Sequence, residues 1–300
     1  MSLVIGVMST YNPDASVVSR ANQHLEQLDK LIVVDDGSKD SEILNQLNDQ
    51  RITLIRLATN SGIAKALNVG TELAVQDGAQ WVLHIDQDSA LTPNYVDKCI
   101  HTFRSASHTT RLGIVLSDYV NDAPAIPPRY SPEGFGLVDE GIKSGMMISK
   151  ECLDEVGLLD ERLFVDCVDT EYCLRARDLK WNIAIAPQTK IIHSLGAQVP
   201  FAPFGKTKIR EGIPILFQYH PPFRQYYIVR NNIDLCIRHM FSKPRWVLSV
   251  IRREFVPIAK NIFGGPSTFN SFVATLCGCF DGLLRRRGKI HSSLNKFITN

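Results

Sequence analysis

Trp81-Val82-Leu83-His84-Ile85-Asp86-Gln87-Asp88 decides the fold of this chain. A short, nearly continuous apolar run closed by polar residues reads as a strand buried on both faces, as strands of parallel sheets are. Similar runs lie before it at 4–9, 31–35 and 52–57, separated by stretches of helical spacing at 15–28, 41–48 and 63–75. Strands alternating with helices predict βαβ units, and hence an α/β fold on a Rossmann-like, mostly parallel sheet flanked by helices. Polar motifs follow the strands: Thr10-Tyr11-Asn12, Asp35-Asp36, Asn60-Ser61-Gly62 and Asp86-Gln87-Asp88. Ligands of open α/β sheets bind at the carboxyl ends of the strands, so these motifs should converge on one edge.

Beyond residue 110 the rhythm changes. A strand is expected at 112–116, then a proline-rich excursion through Pro124, Pro127, Pro128 and Pro132. A further strand is expected at 143–149, where Gly145 permits close backbone approach. A helix follows at 168–179, and short strands at 182–186 and 190–193. Past Pro221 the spacing is helical, at 224–240, 244–262 and 269–284. The expected organisation is one domain over 1–220, with halves at about 1–110 and 111–220, and a helical extension over 221–300.

Composition excludes several classes. Hydrophobic residues at 44% and charged residues at 21% suit a globular protein of 300 residues. No apolar run reaches the ~18–20 residues that cross a bilayer. The N-terminus, Met1-Ser2-Leu3-Val4-Ile5-Gly6-Val7, lacks the basic flank and small-residue cleavage site of a signal peptide and reads as a first core strand. Seven cysteines at scattered spacings make no disulfide framework, and Cys277-x-Cys279 has the wrong spacing for a zinc knuckle. No G-x-G-x-x-G follows the first strand, which argues against a nicotinamide-binding enzyme. Charge is uneven: residues 221–300 hold 13 Lys+Arg against 3 Asp+Glu, and residues 1–220 hold 20 against 28. A basic tail wants anions, from a nucleic acid, a phosphate-bearing ligand or an anionic membrane.

The polar motifs have bland and sharp readings. Asp35-Asp36-Gly37-Ser38 is either a turn with a helix cap or a carboxylate contact to a base or ribose. Asp86 and Asp88 close a buried strand, and a carboxylate pair there is costly unless something positive compensates it. A divalent cation with oxygen ligands would do so. An EF-hand loop is excluded, because Leu91 stands where its turn glycine belongs. Asp166, Asp169 and Glu171 open a helix, either as dipole-favoured acids or around a general base, with Arg175 four residues after Glu171. His193 ends a strand, as a structural hydrogen bonder or a metal ligand. Arg224, Tyr226, Tyr227 and Arg230 form either a snorkelling helix face or a clamp on phosphate oxygens.

Taken in order, these motifs resemble the family 2 glycosyltransferases of the GT-A fold, and within them the bacterial rhamnosyltransferase-like group. The likeness is carried by Thr10-Tyr11-Asn12-Pro13, Val34-Asp35-Asp36-Gly37-Ser38, Asn60-Ser61-Gly62-Ile63-Ala64, His84-Ile85-Asp86-Gln87-Asp88-Ser89, Ser144-Gly145, Asp166-x-x-Asp169-x-Glu171, His193-Ser194-x-Gly196 and Arg224-x-Tyr226-Tyr227-x-x-Arg230-Asn231. The resemblance implies an inverting, Mg²⁺- or Mn²⁺-dependent transfer of a sugar, L-rhamnose from dTDP-rhamnose, onto a hydroxyl of a growing cell-surface glycan. Transfer from a UDP-hexose and a non-catalytic sugar-nucleotide-binding subunit are the alternatives. It implies Asp169 as general base, Asp88 and His193 as metal ligands, and Thr10, Asp35 and Asp36 against base and ribose. Tyr11, Asn12, Asn60, Asp86, Gln87 and Gly145 would complete the donor site. Val168 stands where the family often has Glu, so acceptor contacts would fall to Asp166 or Glu171. Arg224 and Arg230 would reach phosphate. The acceptor would be a glycan, free or lipid-linked, and no nucleic acid is implied. The protein would be cytoplasmic, with peripheral contact to the anionic inner face of the plasma membrane through Arg252-Arg253 and Arg285-Arg286-Arg287. A solvated basic face or a homo-oligomer contact is the alternative for those arginines.

Overall fold

The computed structural model describes residues 3–194 and 196–299, so Met1 and Ser2 at the start of the N-terminal run lie outside it. The chain forms two compact units, Met1–Glu161 with Val168–Ser194, and Arg162–Cys167 with Leu195–Asn300.

In the first unit the alternation read from the sequence produces β1 (Val4–Thr10), α1 (Ser16–Leu25), β2 (Lys30–Asp35), β3 (Ile52–Arg56), α2 (Ile63–Gln76) and β4 (Trp81–Asp86). There follow β5 (Ala90–Leu91), α3 (Tyr95–Ser105), β6 (Leu112–Val120), β7 (Ala123–Pro124), β8 (Arg129–Tyr130) and β9 (Gly136–Val138). The unit closes with β10 (Met146–Ser149), α4 (Lys150–Val156), α5 (Val168–Asp178) and β11 (Asn182–Ile192). Among the described residues these eleven strands form one sheet, in the order β3-β2-β1-β4-β10-β6-β11-β9-β8, with β5 on β11 and β7 on β6. The sheet is mixed. Parallel pairing runs through β3-β2-β1-β4 and recurs between β6 and β11, whereas β10 is antiparallel to both β4 and β6.

β1 is buried along its whole length, which explains its unbroken apolar sequence. Ile5, Val7 and Met8 are fully buried there, and each such side chain contributes about 1.5–3 kcal/mol of transfer free energy.

Local chemistry moves three of the expected elements. The helix expected at 41–48 is a single 3-10 turn, Glu42–Gln46, whose one buried residue is Leu44. One apolar anchor does not make the stripe that holds a full helix on a core. The strand expected from 143 begins at Met146, because Gly145 turns the chain with φ +80°. The two strands expected at 182–193 are one strand, bulged between Ala186 and Lys190.

The second unit is mainly helical: α6 (Pro222–His239), α7 (Pro244–Gly264), α8 (Thr268–Leu283) and α9 (Ser292–Thr299). Four short strands precede them, β12 (Gln198–Pro200), β13 (Ile209–Arg210), β14 (Ile213–Pro214) and β15 (Leu216–Gln218), which pair as β12-β15 and β13-β14. The inner face of α8 is small, with Ser271, Ala274, Gly278 and Gly282 buried. Asp234, on α6, is buried and receives Arg287 (2.9 Å), Arg285 (3.2 Å) and Arg238 (2.5 Å). Two arginines of the Arg285-Arg286-Arg287 run therefore brace the helices around a buried carboxylate. The third, Arg286, pairs with Asp281 at 3.3 Å.

Candidate functional site

The carboxyl ends of β1, β2 and β4 lie side by side in the first unit. Register pairs Thr10 with Asp35 and Ser9 with Asp86, so the motifs of three strands share one edge of the sheet.

On the β2 side the carboxylates act as joints. Asp36 accepts the backbone N–H groups of Ser61 (2.7 Å) and Gly62 (2.8 Å), immediately before α2. Asp35 accepts the backbone N–H of Ser38 at 3.3 Å and also its hydroxyl. Gly37, at φ +68°, passes so close to the chain before α2 that a Cβ would sit 2.4 Å from the carbonyl carbon of Thr59. Asn60 belongs to that same turn. The motif is thus a turn and a cap for α2, which satisfies orphan N–H groups with negative charge at a helix start.

Gln87 and Tyr11 are tied to each other. The Gln87 amide accepts the Tyr11 N–H at 2.8 Å and donates to the Tyr11 carbonyl at 3.3 Å. Asn12 accepts from the Lys39 N–H at 3.0 Å and donates its own N–H to Ser38 at 2.7 Å. Gln87 and Asn12 therefore set the shape of the loop after β1.

Asp86, Asp88 and His193 gather ligand atoms within 4.8 Å of one another. His193 Nδ1 lies 3.3 Å from Asp88 Oδ1 and 2.8 Å from the Ser89 hydroxyl. Asn121 fixes the histidine backbone, accepting its N–H (3.0 Å) and donating to its carbonyl (2.9 Å). Burial alone would raise the Asp88 pKa, but the hydrogen bond and charge of His193, with the charge of Lys143, hold it below the ordinary carboxylate value. An Asp88 carboxylate and a His193 imidazole, with the Asp86 carboxylate close by, suit a divalent cation such as Mn²⁺ or Mg²⁺ that draws its remaining oxygen ligands from water or a phosphate-bearing ligand.

Sequence reasoning missed Lys143. Its ammonium contacts both oxygens of Asp86, at 2.6 and 2.7 Å, with both side chains mostly buried. Its backbone N–H donates to Asp169 Oδ2 at 3.2 Å, so one residue bridges Asp86 and Asp169. Burial would lower its pKa, but the carboxylates of Asp86, Asp169 and Asp88 outweigh this and raise it. The local sequence carries no signal for the pair, since Asp86 is 57 residues away.

Three expected contacts are put to other use. Glu171 makes a two-point ion pair with Arg175, at 3.0 and 2.9 Å, and Arg175 also bonds the Val156 and Leu158 carbonyls. Gly145 is needed because a Cβ there would fall 2.6 Å from the Tyr95 hydroxyl, so the close approach is by Tyr95. In the second unit Arg230 is buried and donates to the carbonyls of Leu163 and Gly288 and to Asn231, while it lies over the rings of Tyr226 and Tyr227. Its guanidinium is a structural crosslink, which corrects the phosphate-clamp reading. Arg224 pairs with Asp166, its Nη2 at 2.5 Å from Oδ1.

Comparison with known proteins bears on the fold and the family. The family described as Glycosyl transferase family 2 matches residues 7–131. The chain is 32% identical over 246 residues to the dTDP-rhamnosyl transferase RfbF of Shigella flexneri, across 77% of this chain and 78% of that protein. The solved structure of S. aureus TarS 1-349 in complex with UDP-GlcNAc matches with a TM-score of 0.50 and 14% identity, over 93% of this chain and 90% of that one. GalNAc-T7 with UDP, GalNAc and Mn²⁺ matches with a TM-score of 0.53 and 12% identity, over 78% of this chain and 51% of that one. At such identities the structural matches speak for the fold alone. The long alignment to RfbF adds the family, and the chain belongs to glycosyl transferase family 2 and is a glycosyltransferase.

Proposed function

We propose that the protein is an inverting, divalent-metal-dependent glycosyltransferase that moves L-rhamnose from dTDP-rhamnose to a hydroxyl of a growing cell-surface glycan. The observation that carries this is the joining, through Lys143, of the Asp86-Asp88-His193 group to Asp169. The rhamnosyl donor follows the relative with 32% identity, a dTDP-rhamnosyl transferase. In this reading residues 1–220 hold the transfer chemistry and residues 221–300 form a basic extension.

Asp88 and His193 would hold the ion. When bound, it would offset the charge that develops on the leaving diphosphate. Asp169 takes the proton of the acceptor hydroxyl as that oxygen forms its bond to the anomeric carbon. The bond from that carbon to the diphosphate oxygen breaks on the opposite face, which inverts the centre. Asp169 is oriented for this by the Lys143 N–H on Oδ2 and the Thr170 N–H on Oδ1 at 2.9 Å. Thr10, Tyr11 and Asn12 would line the nucleotide side, with Asp35, Asp36 and Asn60 shaping its wall.

A donor panel with and without chelator tests the reading. Turnover is expected with dTDP-rhamnose and Mg²⁺ or Mn²⁺, and chelator should remove it. Preference for a UDP-hexose would replace the donor, and turnover unchanged by chelator would remove the metal.

We further infer that α7 and α8 meet an anionic membrane surface. No helix among the described residues is long and apolar enough to cross a membrane. Yet Leu248, Ile251 and Phe255 on α7, and Phe269, Phe272, Leu276, Phe280 and Leu283 on α8, are exposed at helical spacing, Phe255 by 70%. From 241 to 300 only Glu254 and Asp281 are acidic, while Arg245 and Arg252 are exposed. Apolar stripes beside exposed arginines suit shallow insertion with electrostatic attraction. Co-sedimentation should favour vesicles with anionic lipid, and should fall for Arg245→Ala/Arg252→Ala. Equal binding to neutral vesicles would sink the electrostatic part.

A further inference from the structure

Asp86 and Asp88 leave the same strand end with different partners. Asp88 faces His193 at 3.3 Å, and its side chain is 35% exposed. Asp86 is 15% exposed and holds the Lys143 ammonium on both oxygens. A compensating charge is what a carboxylate in that position requires, and Lys143 supplies it from within the chain.

The backbone of Lys143 is pinned. Its N–H is on Asp169, and the Ser144 hydroxyl both accepts the Asp86 N–H (3.1 Å) and donates to Ser89 (2.8 Å). The Gly145 N–H donates to the His84 carbonyl at 2.9 Å. A divalent ion that took Asp86 as a ligand would have to expel an ammonium tethered a few ångströms away, or sit beside it against like-charge repulsion.

We propose that Lys143 is a resident cation that keeps Asp86 out of the divalent ion's ligand set. Asp88 and His193 are then the protein ligands, and the other positions are filled by water and by oxygens that the donor diphosphate brings. This rests on the metal-dependent reading above. It makes ion binding weak in the protein without donor and strong with it, as expected where few protein ligands share an ion with substrate phosphates. Lys143 is a positioning residue, acting through Asp86.

The test is Mn²⁺ titration of the whole protein, followed by electron paramagnetic resonance, without donor. Lys143→Met releases Asp86 and should bind Mn²⁺ about tenfold more tightly than wild type, the worth of one added ligand. The double variant Asp86→Asn/Lys143→Met keeps a neutral pair and should return to within about twofold of wild type. Asp88→Asn should bind at least tenfold more weakly. The proposal is overturned if the double variant is as weak as Asp88→Asn, since Asp86 would then be a ligand in the wild type. It also falls if Lys143→Met binds no better than wild type, with thermal melting confirming that the variant is folded. If wild type binds no Mn²⁺ even with dTDP present, the metal reading falls and takes this proposal with it.

Discussion

Transfer by Asp169→Asn is expected to fall by about 10²- to 10⁴-fold, the range for loss of a positioned general base. Donor affinity and Mn²⁺ affinity should stay within about threefold of wild type, well below the tenfold step that loss of a real contact produces. The amide has the carboxylate's shape and can still accept the Lys143 N–H, which reaches Oδ2 at 3.2 Å. It cannot take a proton from an acceptor hydroxyl. Single-turnover transfer separates this from a binding defect, because the loss should appear in the rate and not in the donor concentration needed for half-saturation. Residual transfer within tenfold of wild type would remove Asp169 from the base role. Asp88→Asn should behave differently, losing ion and donor affinity together, so the pair of variants divides the site into a donor half and a proton-accepting half. If the wild type itself bound donor but transferred no sugar, a binding subunit would be the better reading.

Parts of this arrangement were legible because burial leaves a mark on sequence. β1, β2 and β4 are buried on both faces and show it as apolar runs, so the parallel half of the sheet, and the edge where its polar motifs gather, could be read directly. Strand direction leaves no such mark. Met146–Ser149 is as apolar as its neighbours, yet it runs antiparallel to β4 and β6, since direction depends on the path of the preceding loop. α3 escaped because its buried positions, Tyr95, Val96, Cys99 and Thr102, are interleaved with lysine, histidine and arginine and include a hydroxyl. The 3-10 turn at 42–46 shows the opposite case, helix-compatible residues without a buried face. Within the site, His193 was visible as a histidine closing a strand. Lys143 was not, because its charge is explained only by Asp86 across the sheet. The Asp35-Asp36-Gly37-Ser38 turn and the Arg230 crosslink carry the same lesson. Side chains suited to ligand contact are equally suited to tying backbone together, and only the partners distinguish the two.

Acid should unfold this protein well above the carboxylate range. His24 is buried on α1 with Nε2 3.1 Å from the Ser89 carbonyl, and His84 is buried in β4 with Nε2 2.9 Å from the Thr71 hydroxyl. In each ring the Nδ1 has no hydrogen-bond partner among the described residues. Protonation would therefore bury a charge and leave an N–H without an acceptor. Burial pushes both imidazoles down to about 4 from the ordinary 6.5, helped by Arg20 at His24 and by Lys143 at His84, against the Ser89 carbonyl and Asp86. His220 is lowered in the same direction by burial and Arg224. The sign follows from proton counts. Between pH 6.5 and about 4 the unfolded chain binds protons that the folded chain refuses, so stability is complete above 6.5 and is lost as pH falls. By pH 5 the loss should be on the order of 2 kcal/mol for each of the two histidines, a large part of a typical domain's margin. Asp88 and Asp234, both held below the ordinary carboxylate value, release their contributions only at lower pH, so the interval from 7 to 5 isolates the imidazoles. Urea unfolding at half-unit steps through that interval should show the first unit's midpoint falling steadily. Replacing His24 with Gln, which keeps a hydrogen-bonding group but does not titrate, should remove about half of the slope assigned to the two buried rings. A midpoint that stays flat from pH 7 to 5 would mean that these rings open to solvent before they protonate, and that the floor beneath Asp86, Ser89 and His193 is less rigid than its burial implies.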